Sequence, residues 1–428
     1  MENIGEIMYQ WARDLFPINR SITGPGVRET LKYLKTILPD LQIKSVPTGY
    51  KAFDWTVPKE WFIKDAYIED ESGNRIIDFK LNNLHVVGYS QPIDKWLKLE
   101  ELDNHLFSIE NQPTAIPYVT SYYKKRWGFC LTHNQRKKLK QGLYHAVINS
   151  EHKQGVLNYA ELLIPGISEK EIFLSTYVCH PSMANNEISG PVVATALAKW
   201  IISNSNREYT YRIVFVPETI GSIVYLSKNI DKLKSNVIAG YNISCVGDNR
   251  TYSFLPSRKG NTLSDKAALN VLKLTYPDYK SYSWLERGSD ERQYCSPGVD
   301  LPIASIMRSK YGDYPEYHTS LDNLDLISSA GLEGAYNVIK KSIIIIEENN
   351  FFKSNVLCEP QLGKHGLYSN FGPEGAVNGS IERNTLNLLS YSDGKSSLLE
   401  ISEILDVSFF DLLPLVNLLV EKKVLTSV

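Results

Sequence analysis

Two of the eight histidines in this 428-residue sequence follow runs that read as buried strands, and carboxylates stand near both. His180 comes just after EIFLSTYV (171–178), and Glu187 lies in the loop beyond it, within YVCHPSMANNEISGP. His318 lies in YGDYPEYHTSLDNLD, after LPIASIM (301–307). Glu218 directly follows YRIVFVP (211–217), and Asp248 directly follows VIAGYNISCVG (237–247). A zinc hydrolase needs such a set: neutral imidazoles and carboxylates as ligands, an open position for water, and a carboxylate to take that water's proton. Zinc lowers the pKa of bound water to about 7, so an ordinary glutamate can then act as base. Each residue alone has a plainer reading. Glu218 in PETIG could cap the next helix, and Asp248-Asn249 could be a turn. GSDERQY (288–294) could be a solvated charge run, and Cys179 a small buried hydrophobe. Together they are harder to dismiss.

Such residues need strand ends to hold them. The runs 171–178, 211–217, 237–247 and 301–307 read as strands. GPVVATALAKWIISNS (190–205), TIGSIVYLSKNI and TLSDKAALNVLKLTY read as helices, with Pro191 suited to a first turn. A long helix is expected from about 324 to 348. This alternation predicts an α/β fold, a doubly wound, mainly parallel sheet whose sites lie beyond the carboxyl ends of its strands. Ile4, Met8, Trp11 and Leu15 mark a first helix, and Val27, Leu31, Leu34 and Leu38 a second. From about 53 to 135 the chain turns to short aromatic, β-branched runs, including AIPYVTSYYKKRWGFCLT. Four of the seven tryptophans, Trp55, Trp61, Trp96 and Trp127, fall there. That predicts an inserted β-rich domain at 51–135, within an α/β domain of 1–50 and 136–355. GKSSLLEISEILDVSFFDLLPLVNLLVEKKVL, with a turn at Asp406-Val407, outlines a winged helix-turn-helix domain at 360–428.

Composition narrows the partners. A net charge of −2 provides no field for nucleic acid or an anionic membrane. From Gln361 onward five basic residues face eight acidic ones, and SFFDLLPLVNLL begins with Phe, Asp and Leu where Arg, Asn or Gln would be expected to read base edges. The C-terminal domain is therefore expected to bind protein, in a homo-oligomer or otherwise, rather than DNA. No apolar run reaches membrane-spanning length, and the N-terminal stretch lacks the basic region of a signal peptide. Five scattered cysteines without a C-x-x-C predict reduced thiols, a cytoplasmic protein and any metal held by His and carboxylates.

LFPINRSITGPGVRETL, AIPYVTSYYKKRWGFCLT, STYVCHPSMANNEISGP, FVPETIGSI, GSDERQYCSPGVDLP and YPEYHTSLDNLD together span nearly the whole chain. In them the sequence resembles the uncharacterised bacterial and archaeal aminopeptidase-like proteins found near surface-polysaccharide genes. The resemblance implies a zinc-aminopeptidase-type fold with an inserted β-domain, which by analogy could close over the site as a lid, and a C-terminal winged helix. The wider clan of co-catalytic zinc aminopeptidases and single-zinc cyclases places its first histidine on His180, its bridging aspartate on Asn186 and its last histidine on His318, followed by Asp322. Its glutamate pair, base then ligand, meets Pro217-Glu218. Its third carboxylate ligand meets Ser244, with Asp248 the nearest acid, and its substrate-side S-D meets Ser289-Asp290. These departures imply one zinc ion per chain, held by His180, Glu187 and His318, with Asp248 a further candidate ligand. Glu218 is then base or supporting group, and Glu291 the rival base. Arg287, Arg292 and Arg258 could meet a substrate's carboxylate or phosphate, and Glu316 and Asp313 a free amine. The expected activity is amide-bond hydrolysis in a small or peptide-like substrate. Its alternatives are an amidase or deacylase on a sugar-linked amide in surface-polysaccharide metabolism, and a catalytically degenerate binding or scaffold protein.

Overall fold

Strand Ser168–Tyr177 ends in seven consecutive buried residues, the pattern of a strand covered on both faces. In the computed structural model it lies inside an eight-stranded sheet, paired in parallel with Tyr209–Val216 on one side and Val237–Asn242 on the other. Ile303–Met307 continues the parallel centre beyond Val237–Asn242. Antiparallel strands flank it, Val156–Ile164 and then Gln42–Pro47 at one edge and Ser253–Leu255 toward the other. The sheet is thus mixed: its parallel centre is formed by the strands whose ends carry the candidate residues, and a second short parallel pair, Ser253–Leu255 with Lys280–Ser281, closes the far edge. The structure describes residues 3–122, 124–367 and 380–428. These fall into two compact units, 1–260 with 280–337, and 261–279 with 338–428.

Helix Ser189–Ser203 follows the first strand end, preceded by one π-turn, Ala184–Ile188. Such wider turns often accompany functional sites. Gly190 is required there: a Cβ would come within 2.4 Å of the Ile243 carbonyl and of the Thr176 hydroxyl. The next helix, Ile220–Asn236, starts from Thr219, whose φ of 64° is costly for a β-branched residue.

The β-rich insertion differs from expectation in extent and character. Its four-stranded sheet runs Arg75–Asp78, Glu60–Asp70, Leu143–Lys153, Ile93–Lys98, so its central strand lies beyond residue 135. One hydrophobic core joins Trp61, Ile68, Phe129 and Ile148 of this region to Phe173, Val214 and Ile303 of the large sheet. The insertion is therefore continuous with the α/β core. AIPYVTSYYKKRWGFCLT, expected as strand, is mostly irregular among the described residues. Its backbone instead bonds to Gly88 and to His318, whose carbonyl accepts from the Tyr118 N–H at 2.8 Å. Tertiary partners override β-propensity there.

The second unit takes more chain than 360–428. Phe351–Ser354 is the middle strand of a three-stranded sheet with Asp393–Ser397 and Leu425–Ser427. Ser397 caps helix Leu398–Leu405 in a capping box, Asp406 ends it in the left-handed conformation, and Ser408 caps Phe409–Glu421. Helix Leu263–Thr275, expected to serve the α/β domain, belongs to this unit. Asn270 donates to the Ser402 hydroxyl at 2.7 Å and accepts from the Phe409 N–H at 3.4 Å. Among the described residues no helix is long and apolar enough to cross a membrane.

Candidate active site

His180 stands three residues beyond its strand, buried, with both ring nitrogens facing carboxylates. Nδ1 lies 2.9 Å from Glu187 Oε2, and Nε2 lies 3.6 Å from Glu218 Oε2. Arg20 secures this arrangement from far along the chain. Its Nε donates to the His180 carbonyl at 3.0 Å and sits 3.5 Å from Glu187 Oε1, and all three side chains are buried. Burial opposes a charged His180, but Cys179, Glu187 and Glu218 outweigh it and hold its pKa well above the ordinary histidine value.

His318 reaches the same cleft from a backbone with φ of 56°, and its ring stacks on Tyr317 at 3.9 Å. Burial first, then the nearby His180, push its pKa down to about 3, so it is neutral. Its Nε2 is buried with no hydrogen-bond partner among the described residues. The His180 and His318 ring centres are 5.6 Å apart, and Tyr118 packs against both at 5.2 and 5.1 Å.

Glu218 is the cleft's carboxylate. Ser289 donates to its Oε1 at 3.0 Å. Burial raises its pKa, and His180 pulls the other way. The side chain keeps 22% of its surface open, so solvent tempers that push. Asp290 lies behind it, accepting from the Thr219 N–H at 2.7 Å and from the Ser222 hydroxyl at 2.8 Å. Burial, and then the charge of Glu218, push Asp290 up to about 8. The bond to Asp290 helps hold Thr219 in its costly conformation, next to Glu218.

Three expected assignments change. Glu291 is no rival base: Oε1 accepts from the Gly288 and Ser289 amides at 2.8 and 2.9 Å and from the Tyr311 hydroxyl at 2.6 Å, and Asn242 donates to Oε2 at 3.1 Å. Asp248 is no ligand of this cleft. Its oxygens accept from Asn185, the Ser309 amide and hydroxyl, and the Arg250 amide, all at 2.8–3.0 Å. Glu187 does not join His318 around one point. It faces His180 from the Nδ1 side, beside the Arg20 guanidinium, and does not line the cleft. Cys179, His180 and Glu187 are the one group of three among the described residues whose donor atoms lie within 4.8 Å of one another. Arg20 already supplies the positive charge there, which disfavours a metal on that side.

Asn186 and Ser244 stay neutral oxygen positions. Asn186 Oδ1 accepts from the Tyr177 hydroxyl at 3.0 Å, and the Ser244 hydroxyl has no partner among the described residues. Asp322 accepts from the amides of Ala184, Asn185 and Asn186 at 2.6–3.1 Å, fixing the π-turn that carries Glu187. Burial pushes Asp322 up to about 6 against the pull of those amides.

The cleft holds about 280 Å³. His180, Glu218 and His318 line it together with Cys179, Thr219 and Arg292, while Trp55, Tyr118, Thr120 and Tyr122 of the insertion form the facing wall. Trp55 and Tyr122 of that wall pack against the shared core, and Tyr118 packs against a smaller cluster with Val87 and Cys130. For zinc, the cleft offers the nitrogen and oxygen donor types such an ion takes, two imidazoles, one of them an orphaned buried nitrogen, and one carboxylate, although these three do not all lie within 4.8 Å of one another.

Residues 9–349 match the family described as "Domain of unknown function (DUF4910)". The chain belongs to the DUF4910 family. Residues 350–427 match a family described as winged helix-turn-helix. This DUF4910 chain is 46% identical over 402 residues to a Clostridium acetobutylicum protein named "Putative polysaccharide biosynthesis protein with aminopeptidase-like domain", covering 94% of this chain and 91% of that one. It is also similar to the crystal structure of a C. acetobutylicum protein titled "putative peptidase". The TM-score is 0.93 at 42% identity, over 99% of this chain and 96% of the other. The zinc aminopeptidase BSAP from Bacillus subtilis shares the fold, with a TM-score of 0.60 at 11% identity over 81% of this chain and 94% of BSAP. The DUF4910 architecture here is thus of aminopeptidase type, with a winged helix after it.

Proposed function

We propose that the chain is a zinc-dependent hydrolase of aminopeptidase type that cleaves an amide bond in a small substrate. One observation carries this reading: His180 Nε2 lies 3.6 Å from Glu218 Oε2, in a cleft where His318 offers a nitrogen with no protein partner. The names of the two C. acetobutylicum relatives and the zinc of BSAP support it. His180 and His318 would hold the ion; when bound, it supplies carbonyl polarisation and a water of lowered pKa. Glu187 and Arg20 orient His180 from behind. Glu218 takes the proton of the attacking water and returns it to the leaving amine, a task suited to a carboxylate of raised pKa. Ser289 holds its other oxygen, and Asp290 anchors the adjacent Thr219 amide. With one glutamate where the clan has two, assigning Glu218 to proton transfer leaves only two protein ligands, so zinc is expected to be exchangeable. The name of the 46%-identical relative favours a second reading, an amidase acting on a sugar-linked amide in polysaccharide metabolism. The free cysteines suit a reducing cytoplasm.

Metal analysis of protein purified without chelator is expected to find one zinc per chain, removed by His318→Ala. Glu218→Gln should keep the zinc and lose amide turnover by about a hundredfold or more. A protein without metal and without turnover on any amide would be a binding or scaffold protein instead.

A further inference from the structure

The charges around the cleft speak against a free amino group as the substrate's handle. Glu218 is the only carboxylate among the described residues lining the cleft, and its oxygens already face His180 and Ser289. Glu316 and Asp313, the acids suited to meet an ammonium group, are engaged outside it. Arg250 grips Glu316 with two bonds of 2.9 and 2.8 Å. Asp313 accepts from the Tyr282 hydroxyl at 2.6 Å and faces Lys310 at 3.4 Å. An incoming ammonium would therefore meet Arg292 with no carboxylate to spare, and like charges repel most where water is thin.

Arg292 has the opposite disposition. It lies at the exposed mouth of the cleft, oriented by one N–H bond to the Thr219 hydroxyl at 2.7 Å, and makes no ion pair among the described residues. The other two arginines named from the sequence are occupied: Arg287 over the Trp284 ring at 5.1 Å, and Arg258 on Asp300. A guanidinium has five N–H donors in a fork that fits a carboxylate or phosphate, so Arg292 has capacity left. An adjoining cleft of about 590 Å³ shares Tyr122 and is lined by Lys59, Lys124 and Lys125 against one acid, Glu151, a net positive lining beside Arg292.

We infer that the substrate is an acidic amide, whose carboxylate or phosphate docks on Arg292 while its amide lies over His180 and Glu218. This rests on the amide-hydrolase reading and narrows it, excluding a free N-terminus as the recognised group. Calorimetric binding to the full chain tests it with four probes: N-acetylglutamate, its neutral diamide, the phosphate ester of N-acetylethanolamine, and leucinamide as the free amine. An acidic probe is expected to bind about tenfold or more tighter than the diamide and leucinamide, and the preferred probe of the two acidic ones tells carboxylate from phosphate. Arg292→Gln should remove that preference and Arg292→Lys restore part of it, with circular dichroism melts showing both variants folded. Leucinamide binding as tightly as the acidic probes, a preference that survives Arg292→Gln, or no binding of either acidic probe would overturn the inference. Because binding is read and not turnover, loss of the acidic preference overturns this inference alone, whereas the hydrolase reading stands or falls on the metal analysis and the Glu218→Gln turnover assay.

Discussion

A carboxylate on one nitrogen of an imidazole decides which nitrogen remains for a metal. Glu187 takes Nδ1 of His180 and leaves Nε2 to the cleft. Glu187→Gln is therefore expected to keep one zinc per chain with affinity lowered about 10–100-fold, the range for a group behind a ligand. Zinc titration followed by metal analysis checks it; outright loss of the ion would make Glu187 a ligand. At this scale, that His180, Glu218 and His318 share one cleft was legible from histidines and acids placed at strand ends. Glu291 and Asp248 were misread for the same reason. An acid beyond a strand looks alike in sequence whether its oxygens are free or consumed by amides and hydroxyls. Arg20, 160 residues from His180, left no local signal beyond being a basic residue between two apolar helices.

Elements hold these residues through ordinary devices, and one of them titrates. Strand Leu143–Lys153 lies between Glu60–Asp70 and Ile93–Lys98, and His145 ties the three together. Its Nδ1 meets Glu69 at 2.9 Å, its Nε2 meets Asp94 at 2.7 Å, and its ring stacks on Trp96 at 4.9 Å. The bonds to Glu69 and Asp94 raise its pKa above 6.5. A raised folded-state pKa means the stabilisation is full below the unfolded value and lost as pH rises through the folded one. His145→Gln should thus lower Tm at about pH 6 by an amount matching at most about 1 kcal/mol, and the gap to wild type should close by about pH 9. Thermal melts across that range check it; a gap constant with pH would point to packing on Trp96. The strand–helix alternation was legible because buried strands and amphipathic helices leave different periods. Residues 115–128 were not, because their backbone partners come from Gly88 and His318.

The whole molecule combines an aminopeptidase-type unit with an acidic winged helix. The helix in the position of a DNA reader, Phe409–Glu421, carries two acids, one asparagine and otherwise apolar side chains. In an anisotropy titration with random duplex DNA, the full chain is expected to show no sub-micromolar, salt-sensitive binding. Such binding would overturn the reading of this unit as a protein-contact module. The winged-helix outline at 360–428 was read from its capped helix–turn–helix pattern, whereas the division into units 1–260 with 280–337 and 261–279 with 338–428 was not. Nothing local in LSDKAALNVLKLT marked it as a helix of the second unit, since that membership depends on Asn270 meeting Ser402 and Phe409. In the first unit, the cleft has walls of two origins. His180 and Glu218, the groups proposed to move protons, line it from the strand-end side, and Trp55, Tyr118, Thr120 and Tyr122 line it from the insertion. Diversification can therefore proceed on one wall alone. If the chain is the amide hydrolase proposed, a lineage, or a directed-evolution library confined to those four positions, is expected to change which amide is accepted while His180, Glu218 and His318 are inherited intact.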